Sequence, residues 1–350
     1  MSVSVPLSLK PAVAEPVRDT RARPLRELRL SVIDRCNFRC TYCMPADSLQ
    51  GRGVFLPLTK LLTDHEIERL LGAFVSLGVE KVRITGGEPL VRPGLPALVQ
   101  TISAIPGLRD IALTTNGVLL PRLAQDLKDA GLNRLTISLD SLDQDVLSEM
   151  SGNKADLQEV LDGIAAAEAT GFKNLKINTV VQKGVNDHTI IDLLDHFRGS
   201  GHIVRLIEFM DVGNCNHWRL DQVVSSAEWV QRINEVFPIE PLGRKRASET
   251  ALRYGYKDGQ GEIGLISSIS QPFCGGCSRA RITADGILYT CLFANKGTHL
   301  VPLLRQQEDE DVLRERISKV WTERDDRYSE QRSPDGERKA PKVEMYRMGG

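Results

Sequence analysis

Seven cysteines stand in this 350-residue chain, and six of them fall into two groups of three. Cys36, Cys40 and Cys43 follow the spacing Cys-x3-Cys-x2-Cys, and Cys274, Cys277 and Cys291 follow Cys-x2-Cys-x13-Cys. Each group offers three soft thiolates, a donor set suited to an iron–sulfur cluster or to zinc. Structural zinc is ordinarily closed by four protein ligands. The first group has no further Cys or His nearby, whereas His299 lies near enough to the second to complete a zinc site, so zinc stays open there. Three thiolates on a [4Fe–4S] cluster leave one iron free to take an outside ligand. Reduced thiols packed in a loop are the inert alternative for the first group, and the density of three cysteines in so short a stretch argues against it. Cys215, in DVGNCNHW, fits neither pattern and receives no role.

These loops need a scaffold, and the flanking sequence supplies one. The run LRLSVI leads as a strand into the first cysteine group. Thr63 with Glu66 three residues on predicts a capping box and a helix to about Leu77, and the β-branched strand KVRIT then leads into Gly86-Gly87-Glu88-Pro89. The alternation continues through IALTT, RLTISLD, LKINTVV and VRLIEFM, with helices between them. Strands alternating with helices of this length predict a parallel sheet with right-handed crossovers. About six such units fit between residues 28 and 215. Eight close a full barrel, so the expected fold is α/β, an incomplete (βα)6-type, TIM-like barrel with a C-terminal extension closing its open side. The expected organisation is a flexible leader over 1–24, the partial barrel over 25–237, and a C-terminal second-cysteine-group region over 238–350, with a hairpin-like stretch at Tyr254–Ser270. Sites in such sheets gather at the carboxyl ends of the strands, where the polar and Gly-rich segments fall.

Composition sets the outer bounds. With 41% hydrophobic and 26% charged residues the chain reads as a globular protein. A net charge of −1 excludes a global basic field for nucleic acid or anionic membrane, so any anionic ligand must be met by locally gathered Arg and Lys. No apolar run approaches the ~18 residues of a membrane span. The start, MSVSVPLSLKPAVAEP, lacks the pattern of an export signal, and an odd cysteine count without one points to a reducing cytoplasm.

The first cysteine group, with Tyr42 before its last member, resembles the signature of the radical S-adenosylmethionine superfamily, and Gly86-Gly87-Glu88-Pro89 matches that superfamily's glycine-rich segment after the second strand. The resemblance implies a [4Fe–4S] cluster on Cys36, Cys40 and Cys43 whose open iron is chelated by the methionine part of S-adenosylmethionine. Cleavage of the sulfonium there yields a 5′-deoxyadenosyl radical. Tyr42, Gly87, Ser138 (in TISLDS) and Met210 (ending RLIEFM) are the implied S-adenosylmethionine contacts, with Thr114-Thr115-Asn116-Gly117 as the polar end of the third unit.

The segment FCGGCSRARITADGILYTCLFA resembles the GTP 3′,8-cyclase family specifically. That implies a second [4Fe–4S] cluster on Cys274, Cys277 and Cys291, whose open iron takes the guanine ring. It further implies a GTP site formed by Arg29, Arg83, Thr114, Lys176, Arg205, Arg279 and Arg281, with Lys173 as a second candidate beside Lys176. Arg279 and Arg281 alternate, so both face one side of an extended strand. Unpaired cations on strands leading into a cavity are costly to bury, which independently favours an anionic ligand; surface ion pairs are the alternative for each. The terminal Gly349-Gly350 matches a family tail that reaches back to the active site.

As the family works, the radical takes hydrogen from the ribose 3′ carbon of GTP. The carbon radical closes onto guanine carbon 8, giving 3′,8-cyclo-7,8-dihydro-GTP, the opening step of molybdenum cofactor (molybdopterin) biosynthesis. Implied partners are an electron donor such as flavodoxin or ferredoxin and a downstream pyranopterin monophosphate synthase, with a homodimer possible. Two rivals remain: a peptide-modifying two-cluster radical enzyme, and a non-catalytic zinc or iron–sulfur binding module.

Overall fold

Strands that alternate apolar and cationic residues must separate two environments. A computed structural model describes residues 15–46, 55–306, 309–332 and 342–349. Its first six strands are β1 (Glu27–Ser31), β2 (Lys81–Thr85), β3 (Asp110–Thr115), β4 (Arg134–Ser138), β5 (Lys176–Val181) and β6 (Ile203–Glu208). They lie side by side in chain order, and every neighbouring pair is parallel. Right-handed crossovers that always step in one direction put their helices on one side of a sheet. Accordingly α1 (Asp64–Ser76) packs on α2 (Leu95–Ser103), α2 on α3 (Leu120–Asp129), and α3 passes over α4 (Gln144–Met150) in the sequence to pack on α5 (Leu157–Ala169). Towards these helices the strands turn Leu28, Leu30, Val82, Ile84, Leu113, Ile137, Ile177 and Leu206, all nearly solvent-free. Arg29, Arg83, Thr114, Asn178 and Arg205 occupy the alternate positions and face the other way.

Local chemistry sets the boundaries. The Thr63–Glu66 capping box is present in both directions, with Glu66 N donating to Thr63 Oγ1 at 3.2 Å and Thr63 N to Glu66 Oε2 at 2.8 Å. Asp156 caps α5 through the amides of Gln158 and Glu159. The short α4, capped by Asp143, was not expected, because two turns are too few for an apolar period to show.

After α6 (Ile190–Phe197) and α7 (Ser226–Val236) the alternation stops, as the sequence predicts, but the sheet does not. A meander of β7 (Ile239–Gly243), β8 (Leu252–Tyr256) and β9 (Glu262–Ile266) attaches through β9, parallel to β6. β10 (Arg279–Ile282) attaches parallel to β1 at the opposite edge, carrying β11 (Ile287–Tyr289) and β12 (Thr298–His299). One mixed, mostly parallel sheet of twelve strands results. The C-terminal region thus extends both edges of the same sheet. Helices α8 (Val301–Arg305) and α9 (Glu310–Thr322) follow, with α9 on α1, and the short α10 (Met345–Met348) ends the described chain.

One expectation needs correction. Residues 15–24, assigned with 1–14 to a flexible leader, are fastened to the sheet and helices. Val17 N donates to Leu77 O at 3.1 Å, Leu25 N to Val17 O at 2.9 Å, and Asp19 and Arg23 are buried together. A polar, Pro-rich stretch does not advertise a buried ion pair. Residues 1–14 lie outside the described residues. No helix among the described residues is long and apolar enough to cross a membrane.

Close backbone approach supports the βα units. A Cβ on Gly163 of α5 would stand 2.2 Å from the carbonyl oxygen of Gly117, at the end of the third unit. Gly163→Ala should therefore force α5 off the sheet and destabilise the protein by roughly 1–3 kcal/mol, read as a lowered midpoint in urea denaturation.

Candidate functional site

Both cysteine triads line one cavity on the face of the sheet that carries Arg29, Arg83 and Arg205. Cys36, Cys40 and Cys43 sit on the loop after β1, which turns tightly where Cys43 N and Met44 N both donate to Cys40 O. Arg39 Nη1 fastens that loop by donating to the carbonyls of Cys36 (2.7 Å) and Phe38 (2.6 Å). Cys274 and Cys277 belong to a single 3-10 turn just before β10, and Cys291 follows β11. Burial pushes the Cys36 thiol up to about 11 and the Cys291 thiol to about 12, and lifts Cys40 and Cys43 further. At Cys277 burial acts in the same direction, but the guanidiniums of Arg279 and Arg324 outweigh it and hold the thiol at about 6. Among the described residues no three His, Cys, Asp or Glu side chains converge on a point as a single metal ion requires. His299, the candidate fourth zinc ligand, is exposed on β12 and does not line the cavity.

The glycine-rich segment earns its glycines by contact. A Cβ on Gly87 would lie 2.3 Å from the carbonyl oxygen of Arg35, and one on Gly86 2.5 Å from that of Ile33. In return Gly87 N donates to Ile33 O and Glu88 N to Arg35 O, so this segment sets the path of the chain into Cys36. Glu88 turns inward. Its carboxylate accepts from Leu90 N, Thr115 Oγ1 and Asn116 N, tying the end of β2 to the end of β3, while burial raises it to about 7. Tyr42, Gly87, Ser138 and Met210 all line the cavity. The Tyr42 hydroxyl donates to Asp140 Oδ2 at 2.8 Å, which fixes the ring beside the first triad.

Between the triads lies a wall of cations. Arg281, Arg29 and Arg83 are register partners on the adjacent strands β10, β1 and β2. Two further acids and bases on this face neutralise each other, Lys81 with Glu27 at 2.8 Å and Arg134 with Asp110. Arg29, Arg83, Lys176, Arg205, Arg279 and Arg281 have no carboxylate ion pair among the described residues. Burial and their mutual repulsion hold Arg29, Arg83, Arg205 and Arg281 below the ordinary guanidinium range, and burial with Arg205, Arg134 and Arg83 brings Lys176 down to about 7. Neutral groups satisfy some of them. Arg83 Nη1 donates to Thr114 and Thr136 hydroxyls, and Arg205 donates twice to Asn178 Oδ1. Arg29 Nε is buried with no partner among the described residues. Such a surface is built for an anion carrying several charges.

Placement of the predicted residues is uneven in two respects. Lys176 shares the cationic face but stands at the start of β5, below the cavity lining, while Asn178 two residues on does line it. Lys173 is exposed on the preceding loop and does not line the cavity. Arg281 was expected to serve a ligand rather than the fold. Its Nη1 donates to Met348 O (3.2 Å) and Gly349 O (2.8 Å), so it also anchors the tail. Gly349 has φ 68°, and a Cβ there would meet Thr85 Oγ1 at 2.0 Å, so the tail does reach the strand ends; Gly350 lies outside the described residues. Asp140, Asn178, Arg324 and Asp326 line the cavity unannounced by any motif, because only the packing of distant strands brings them there. Cys215 bonds to Glu344 at 3.1 Å and helps seat the same tail.

Residues 30–197 match the family model described as Radical SAM superfamily, and residues 202–330 match Molybdenum Cofactor Synthesis C. A protein of Xanthomonas campestris pv. campestris (strain 8004) named GTP 3′,8-cyclase is 51% identical, over 96% of this chain and 98% of its own. Proteins of the same name from Acidothermus cellulolyticus and Staphylococcus saprophyticus are 47% and 43% identical over 93% and 97% of this chain, and over 91% and 100% of their own. Among solved structures, Streptococcus suis SuiB bound to S-adenosylmethionine has TM-score 0.57 at 17% identity, over 85% of this chain and 68% of that one, a likeness of fold.

The depressed Lys176 makes a pH prediction. A base at about 7 in the folded chain and near its ordinary 10.5 when unfolded leaves the unfolded state holding more protons between those values. Stability of the nucleotide-free protein should therefore climb as pH rises from 7 towards 10, and Lys176→Met should flatten that climb in chemical denaturation followed against pH.

Proposed function

The chain belongs to the GTP 3′,8-cyclase family, and from that premise we propose that its two cysteine triads and the cations between them form one reaction centre. Its activity is the radical S-adenosylmethionine-dependent cyclisation of GTP in molybdenum cofactor synthesis. The observation that carries the site reading is the set of five arginines lining the cavity between the triads, Arg29, Arg83, Arg205, Arg279 and Arg281, none with a carboxylate ion pair among the described residues.

Cys36, Cys40 and Cys43 would hold the [4Fe–4S] cluster of the superfamily, and Cys274, Cys277 and Cys291 a second one at the guanine end. With S-adenosylmethionine bound, the first cluster supplies the electron that releases the 5′-deoxyadenosyl radical for hydrogen abstraction at the ribose 3′ carbon, on the way to 3′,8-cyclo-7,8-dihydro-GTP. The protein's own residues position and shield. Tyr42, Gly87, Ser138 and Met210 would seat S-adenosylmethionine. Arg29, Arg83, Arg205, Arg279 and Arg281 would hold the triphosphate, with Thr114 adding a hydroxyl and Lys176 a charge from below. Fixing both nucleotides in one water-poor cavity converts an encounter between reactants into an intramolecular step.

The parallel run β1–β6, with its helices on one side, supports an incomplete (βα)6 barrel over 25–237 with 238–350 as the second-cluster and GTP region. A low-potential donor such as flavodoxin or ferredoxin, a downstream pyranopterin monophosphate synthase, a homodimer and a cytoplasmic setting belong to the same proposal. The peptide-modifying rival is disfavoured by near full-length identity of 43–51% to proteins named GTP 3′,8-cyclase. The zinc module is disfavoured by His299, which is exposed and does not line the cavity.

Anaerobic reconstitution should load about eight irons per chain, four per cluster. Incubation with GTP, S-adenosylmethionine and a reductant should yield the cyclised nucleotide by mass spectrometry. Cys274→Ala should abolish that product yet leave reductive S-adenosylmethionine cleavage measurable, and zinc at this site in anaerobically isolated protein would overturn the two-cluster reading. Arg29, with an unfilled donor and no ion pair, gives the cleanest test of the anion wall. Losing a charge-assisted contact worth roughly 1.5–3 kcal/mol should weaken GTP binding about 10- to 150-fold in calorimetric titration. Arg29→Ala should leave the nucleotide-free protein no less stable, because it also removes repulsion from Arg281 and Arg83.

A further inference from the structure

The second cysteine triad is held from outside its own segment. Arg23, ahead of β1, donates from Nη1 to Cys274 O at 3.0 Å and to Asp326 O at 2.6 Å, and from Nε to Asp19 Oδ2 at 2.6 Å. Arg324, just beyond α9, donates from Nη1 to Cys277 O at 2.9 Å and lies 3.4 Å from the same Asp19 oxygen. Asp19 is itself locked, its Oδ1 accepting from the amides of Arg21 and Arg23. Trp321 adds its Nε1 proton to Arg23 O and lies under the Arg324 guanidinium. The side chains of Asp19, Arg23 and Arg324 are 0%, 1% and 2% exposed.

Burying ions this deeply is costly, and an apolar cluster of similar volume commonly stabilises a fold as well or better. An apolar cluster cannot donate to carbonyls, whereas these two guanidiniums do so at both cysteines of the Cys-x2-Cys turn. They share one carboxylate, so the positions of the two carbonyls are fixed relative to each other. We propose that Asp19, Arg23 and Arg324 are positioning residues for the second triad, holding the Cys274–Cys277 turn in the shape from which its thiolates grip their cluster. The segment before β1 is then part of the reaction centre, although its side chains do not line the cavity. This rests on the two-cluster reading above.

Arg23→Lys and Arg324→Lys test it, because lysine keeps the charge beside Asp19 but lacks the planar fork that also reaches the carbonyls. Each variant and the wild type would be reconstituted anaerobically, and iron content, electron paramagnetic resonance with and without GTP, S-adenosylmethionine cleavage and melting temperature measured. The expected result is a lost or altered second-cluster signal, with iron falling from about eight towards about four per chain. The first-cluster signal and S-adenosylmethionine cleavage should persist. Unaltered second-cluster spectra in both variants would overturn the proposal, as would equal loss of both clusters, which marks a brace of the whole fold. Should Arg23→Lys fail to fold, Arg324→Lys decides by the same readouts. A wild type holding only about four irons overturns the two-cluster reading and this proposal together; an eight-iron wild type with unaltered variants overturns this proposal alone.

Discussion

Repulsion among buried cations is the constraint on which this structure turns. Arg281, Arg29 and Arg83 stand in register on neighbouring strands, about 5 Å apart at the backbone. Buried side by side, their charges disfavour one another, and Arg281 and Arg83 both lower the pKa of Arg29. None of the three makes an ion pair with a carboxylate among the described residues; Glu27, paired with Lys81, attracts Arg29 and Arg83 from one side, and Arg134 is paired with Asp110. The protein thus carries a deliberate surplus of positive charge where an anion would neutralise it. The price is met by the opposite face, where Leu28, Leu30, Val82 and Ile84 are sealed under the helical layer.

Strand alternation makes that compromise possible. A parallel sheet with all crossovers on one side leaves its other face free of helices, so a single alternating strand can carry the core and the site at once. The cysteine loops then enter from the two ends of the chain, one after β1 and one before β10, and the parallel pairing of β10 with β1 sets them at opposite ends of the same two strands, with the cations between. Gly86 and Gly87 are the fine adjustment, because the strand end must touch the 33–35 backbone to steer Cys36 into the cavity.

The C-terminal tail is fastened across the cavity side of the sheet. Lys342 bonds Asp211, Glu344 bonds Asn214, and Gly349 sits on Thr85 beneath Arg281, so the tail joins the end of β6 to the ends of β1 and β2. Arg281 stands on the cationic wall and at the same time holds the tail through the carbonyls of Met348 and Gly349. An arginine in a strand pattern shows its face, but not which of two distant acceptors its guanidinium will meet.

Much of the chemistry was legible in the residues alone. Cysteine spacing, the glycine-rich segment and the alternation of cations within apolar runs are local, because ligand geometry and strand period act over a few residues. Those features gave the two triads and the order of the βα units, and the family resemblance they carry named six cations, five of which line the cavity. Three-dimensional packing decided the rest. Lys176 falls below the lining because parallel register, not residue type, sets depth along a strand. Asp140, Asn178 and Arg324 join the cavity through contacts between distant segments, and Asp19 with Arg23 brings a polar leader into the core. Such long-range neighbours leave no local periodicity, since their partners are chosen by topology, and only the folded sheet makes them adjacent.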